Sequence, residues 1–99
     1  MAKGKIIWSH KARIKLYEIM EFYVQRNGNA VYATKLYRLF TKNTKLLLKH
    51  PKLGANTTLE GVRGLIVDDY ILFYEFIDES LVIHTLWPCK QNPDDLVIK

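Results

Sequence analysis

Cysteine is nearly absent from the chain. Cys89 stands alone among 99 residues, so no internal disulfide can form and a reducing, cytoplasmic setting is expected. Long apolar runs are missing too: Met-Ala-Lys-Gly-Lys leads only into Ile6-Ile7-Trp8. That is far short of the roughly 20 residues of a membrane-spanning helix or the apolar stretch of a secretory leader, so no membrane partner is expected. Acid is missing from a long internal stretch. Between Glu21 and Glu60 there is no Asp or Glu, yet Arg26, Lys35, Arg38, Lys42, Lys45, Lys49 and Lys52 all lie there. No repeat, low-complexity tract or linker divides the sequence, which reads as a single domain over residues 1–99.

What is present suits one core. Hydrophobic residues make up 48% of the chain, enough apolar material for a compact domain of this size. The formal charge of +5 conceals an asymmetry, with twelve Lys/Arg against two Asp/Glu through residue 59 and three against eight from residue 60 onward. Such a basic half points to a polyanion or an acidic protein as partner.

Periodicity divides the chain into helices and strands. Lys5 to Trp8 is a short strand candidate and Ser9 a cap for the helix that follows. Ala12, Leu16, Ile19, Met20 and Tyr23 fall on one face of a helix from about His10 to Arg26, which Asn27-Gly28 ends. Asn29 can cap a second helix that buries Leu36, Phe40 and Leu47, joined by Tyr32, Leu39 and Leu46. It must stop near His50, because the residue before Pro51 is pushed out of the helical region. Lys35, Arg38, Lys42, Lys45 and Lys49 step by three, four, three and four, which puts them on one stripe of this helix, away from the core.

Beyond Gly54 the period becomes that of strands. "VRGLIV", "YILFYEFI" and "SLVIHTLW", separated by Asp68-Asp69 and Asp78-Glu79, predict an antiparallel meander. The middle strand is apolar on both faces, as expected when helices cover one face and something else, such as a partner, covers the other. The expected architecture is α+β in the order β-α-α-β-β-β, a helical hairpin on one face of a small, mainly antiparallel sheet, with the first strand paired onto its edge or centre. Pro88 should end the last strand. Gln91 then leads into a tail in which Asn92 could cap a short helical turn with Pro93 at its first position.

"KIIWSHKARIKLYEI", "LLLKHPKLG", "VRGLIVDDYILFYEF" and "LVIHTLWPCKQNP", in this order and over nearly the whole chain, resemble the RelE/ParE superfamily. These are the small toxins of type II toxin-antitoxin modules, also known as plasmid stabilisation proteins. The resemblance implies a cytoplasmic toxin held inactive by a cognate antitoxin, in a toxin-antitoxin hetero-oligomer, with no metal and no cofactor. One branch cuts messenger RNA in the ribosome as a metal-independent endoribonuclease (an mRNA interferase); the other poisons DNA gyrase without being a nuclease. The alternative is a catalytically inactive module that pairs with an antitoxin or nucleic acid.

The resemblance also implies site residues. A ribonuclease of this kind must activate the ribose 2′-hydroxyl, steady charge on the phosphate and protonate the leaving oxygen. In the RelE-like branch an arginine follows the aromatic residue that opens the middle strand; here Ile71 follows Tyr70. A second arginine at the end of the last strand is matched by Lys90, and a tyrosine in the tail aligns with Leu96. Lysine balances phosphate charge without arginine's bidentate fork. Arg63 and Lys90 are the candidate catalytic pair, expected on a shared surface, unless Arg63 only braces the sheet against Glu60 or Asp69. Candidate binding residues are Lys35, Arg38, Lys42, Lys45 and Lys49 on the second helix, and Trp87, Gln91 and Asn92 around the strand end. For His84 a packed sheet position is the simpler reading.

Overall fold

The computed structural model describes residues 4–91. In chain order the elements are β1 (Ile6–Trp8), α1 (His10–Asn27), α2 (Val31–Lys49), β2 (Ala55–Asn56), β3 (Val62–Val67), β4 (Tyr70–Ile77) and β5 (Ser80–Pro88). The sheet order is β1-β5-β4-β3-β2. β1 runs parallel to β5, so the first strand takes an edge, and every other pairing is antiparallel. The predicted α+β order holds. Its one addition is β2, a two-residue edge strand whose Ala-Asn sequence carries no strand signal of its own.

The caps show how the sequence places the helices. Ser9 Oγ accepts the Ala12 N–H at 3.0 Å and donates to the His84 carbonyl at 2.9 Å, so one side chain both caps α1 and ties it to β5. Gly28, left-handed at φ 74°, closes α1 with its N–H on the Val24 carbonyl at 2.9 Å. Asn29 sits one residue before the cap position, Ala30, and still accepts the Val31 N–H at 3.0 Å.

Both helices lie on one face of the sheet. Ala12 and Ile19 of α1 and Leu36, Phe40 and Leu47 of α2 share a core with Val67, Tyr70, Leu72, Tyr74, Leu81, Ile83 and Leu86. Leu46 departs from expectation: it is exposed, and Ala33 and Thr44 complete the buried row of α2 instead. Thr44 tolerates burial because its hydroxyl donates to the Thr41 carbonyl at 2.8 Å, inside its own helix.

β5 carries a bulge opposite Phe73 and Tyr74 of β4. Thr85 pairs with Phe73 and Ile83 with Tyr74, which leaves His84 as the extra residue. The bulge reconciles two parities. Leu81 and Ile83 are odd-numbered and Leu86 is even, yet all three are buried against the helices. The opposite face presents Ile7, Ile66 and Ile77, all exposed, with Ile71, Val82 and Trp87 half-buried. Among the described residues no helix is long and apolar enough to cross a membrane.

Candidate functional site

The last strand ends in a built turn. Gln91 N–H donates to the Pro88 carbonyl at 3.1 Å, Cys89 N–H to the Asp69 carbonyl at 2.9 Å, and the Trp87 indole N–H to the Gln91 carbonyl at 3.3 Å. These bonds hold Lys90 at the tip of a β-turn, exposed, beside an equally exposed Cys89. Trp87 is half-buried and serves as the brace of that turn. Gln91 contributes backbone to it and is exposed. Asn92, Leu96 and the expected helical turn of the tail lie outside the described residues. Ile71 stands on the sheet face turned away from the helices, opposite Trp87.

Arg63 is elsewhere. It pairs with Tyr74 and, through β4, lines up with Ile83, whereas Lys90 follows Pro88, which lines up with Tyr70 and Val67. Four residues of strand, about 13 Å, separate those two levels before the extra length to Lys90 is counted. Arg63 and Lys90 therefore do not stand side by side on the sheet. No acid among the described residues braces Arg63 either; its guanidinium donates to the Gly54 carbonyl at 2.7 Å and more weakly to the Lys52 carbonyl at 3.5 Å.

That contact belongs to a clamp the sequence did not reveal. Tyr74, fully buried, donates its hydroxyl to the Pro51 carbonyl at 2.8 Å and accepts the Gly54 N–H at 2.9 Å. Gly54 is required by close approach. A Cβ there would lie 2.8 Å from the Tyr74 ring and 2.9 Å from the Gly64 carbonyl. Burial raises the Tyr74 pKa, and the Gly54 N–H and the Arg63 charge oppose that shift. The loop after α2 is thus pinned to the middle of the sheet.

A second polar pair lies on the opposite face. At the bulge, His84 Nε2 meets Glu75 Oε1 at 2.8 Å, which agrees with a packed sheet role for His84. A third group joins the far ends of the helices to the β3–β4 turn. Tyr32 donates to Asp68 Oδ2 at 2.8 Å, Tyr23 stands edge-on to Tyr32 at 4.7 Å, and Tyr70 bonds Tyr23 at 3.4 Å. The hydrogen bond to the Asp68 carboxylate pushes the Tyr32 hydroxyl up to about 12, and burial, then the Tyr23 bond, raises Tyr70.

Two further surfaces are open among the described residues. Trp8, Arg13, Leu16, Tyr17, Met20, Tyr37 and Thr41 line an apolar groove of about 360 Å³ between β1 and the helices. Within it Tyr17 is 75% exposed. The helical spacing in α1 carries its own signal for this groove, since Arg13, Tyr17 and Met20 are neighbours on one face. The other surface is the stripe. Lys35, Arg38, Lys42, Lys45 and Lys49 are all exposed, and none has an acidic partner among the described residues. Neighbouring like charges at these spacings each destabilise a helix by roughly 0.2–0.5 kcal/mol. The fold carries that cost without an offset inside the helix.

Comparison with known proteins places the fold and the family. A chain of the chromosomal ParDE TA system from P. aeruginosa is similar in structure, with a TM-score of 0.76 over 88% of this chain and 97% of that one, at 20% sequence identity. A search of curated proteins finds no similar sequence. The family model of the ParE toxin of the type II toxin-antitoxin system parDE matches residues 6–93. The chain therefore belongs to the ParE toxin family, within the RelE/ParE superfamily of type II toxins.

Proposed function

We propose that this toxin arrests growth by acting on DNA gyrase rather than by cutting message in the ribosome, and that a cognate antitoxin neutralises it in a cytoplasmic hetero-oligomer. The observation that carries the choice of target is the commitment of Arg63. A metal-independent ribonuclease needs positioned cations and an acid-base pair converging on one phosphate. Arg63 instead bonds loop carbonyls, at a different level of the sheet from Lys90. Ile71 supplies no charge on β4. A toxin built this way works by contact with a macromolecule, and Lys90, held out on its turn, is the residue positioned to make one.

The antitoxin reading rests on apolar surface. The groove lined by Trp8, Leu16, Tyr17, Met20 and Tyr37, and the sheet face bearing Ile66, Ile71 and Trp87, offer hydrophobic area that a bound peptide would cover. Induction of the chain alone in a bacterial host should stop growth, with cleaved gyrase-DNA complexes accumulating and ribosome-bound message intact. New message ends at codon positions without cleaved DNA would move the target to the ribosome. Unchanged growth with folded protein present would return the chain to an inert binding module. Lys90→Ala should weaken the arrest and leave stability within about 0.5 kcal/mol of the parent, because the side chain is exposed.

A further inference from the structure

We infer that the outer face of α2 is a binding surface for the phosphate backbone of double-stranded DNA. The inference does not depend on which target the toxin has. Lys35 and Lys49 are fourteen residues apart, which sets the cationic row at about 21 Å along a straight helix. Phosphates on one DNA strand recur about every 3.4 Å of helix axis, so roughly six per strand lie within that axial length, and the five cations of the row can each neutralise one phosphate of the two strands.

The composition of the row selects the partner. At 100° per residue its five cations lie on the side of α2 opposite Leu36, Phe40 and Leu47, the side farthest from the core. Val31, at the N-terminal end, and Leu46, on its border, are the exposed large apolar side chains beside it. A protein segment would need apolar contacts, and those are offered elsewhere, in the groove where Tyr37 and Thr41 mark a different sector of the helix. A single strand would need aromatic rings to stack on, and the row has none. What remains is a line of charge suited to a regular polyanion. Lys35 and Arg38 also border an open depression of about 580 Å³ with Ala30, Val31 and Thr34, where the absence of acid in the first turn of α2 leaves the helix dipole uncompensated.

The test is the binding of the purified full-length chain to a labelled 20-base-pair duplex of arbitrary sequence, followed by fluorescence anisotropy across a salt series. Five neutralised phosphates predict a slope of log affinity against log salt of about −4.5, a weakening of roughly 500-fold between 50 and 200 mM. The triple substitution Arg38→Gln, Lys42→Gln, Lys45→Gln should lower the slope to about −1.8, with an unchanged circular dichroism spectrum. Lys5→Gln, a cation outside α2, should retain the full slope. Absence of duplex binding at 50 mM, a slope the triple variant leaves unchanged, or tighter binding to a polyglutamate peptide or to single-stranded DNA of the same length would each overturn the assignment.

Discussion

Tyr74 does more for this protein than fill its core. Its hydroxyl answers two backbone groups of the loop after α2 at once, the Pro51 carbonyl and the Gly54 N–H, while Arg63 takes the Gly54 carbonyl beside it. Gly54 is buried, so neither of its polar groups can turn to water instead. Tyr74→Phe keeps the ring and removes both hydroxyl bonds. It should destabilise the fold by about 1–3 kcal/mol, the cost of leaving the buried Gly54 N–H without its partner, read as a lower urea midpoint at unchanged slope. A midpoint equal to that of the parent would mean the clamp contributes nothing. None of this was legible from "HPKLGAN", because a tyrosine alternating in a strand looks the same whether its hydroxyl is satisfied or idle. Arg63 was visible as an isolated basic residue, but a guanidinium spent on carbonyls and one free for phosphate share the same sequence signature.

At the scale of elements, periodicity was a good guide wherever one face meets one core. The inward rows of α1 and α2, the cationic row and the three long strands all stand where their spacing puts them. The exceptions have local causes. Leu46 is exposed, while Thr44, a polar residue that hides its hydroxyl within the helix, is buried. The bulge at His84 shows in the sequence only as a change of parity between Ile83 and Leu86, a signal easily taken for ordinary variation. Ser9 joins two elements, since its side chain caps α1 and reaches the His84 carbonyl at that bulge. Ser9→Ala should therefore cost about 1–2 kcal/mol, the upper part of the range for a lost cap. Thermal melts of the two proteins would check it, and a difference below about 0.5 kcal/mol would show that the link to β5 is dispensable.

Over the whole molecule the tyrosine group couples the helical hairpin to the β3–β4 turn through Tyr32 and Asp68. Tyr32 holds its proton more tightly when folded, with its pKa pushed up to about 12 from 10.0, and Tyr70 is shifted in the same direction. The folded state thus binds more protons than the unfolded state once the pH passes 10. The stability contributed by the neutral phenol is complete below that pH and is lost as the pH rises toward 12. Urea midpoints between pH 8 and 11 should fall more steeply for the parent than for Tyr32→Phe. Parallel curves would refute the coupling.

The order of elements, the α+β class, the basic helix face and membership of the toxin superfamily could all be read from the linear chain, because each depends on residues within one element or on the succession of elements. The places of Arg63 and Lys90 at separate levels of the sheet, the clamp on Gly54 and the apolar groove of Trp8, Tyr17 and Tyr37 needed the assembled fold. Strand register and helix docking set which distant side chains meet, and no local pattern encodes a distance between residues twenty or more positions apart.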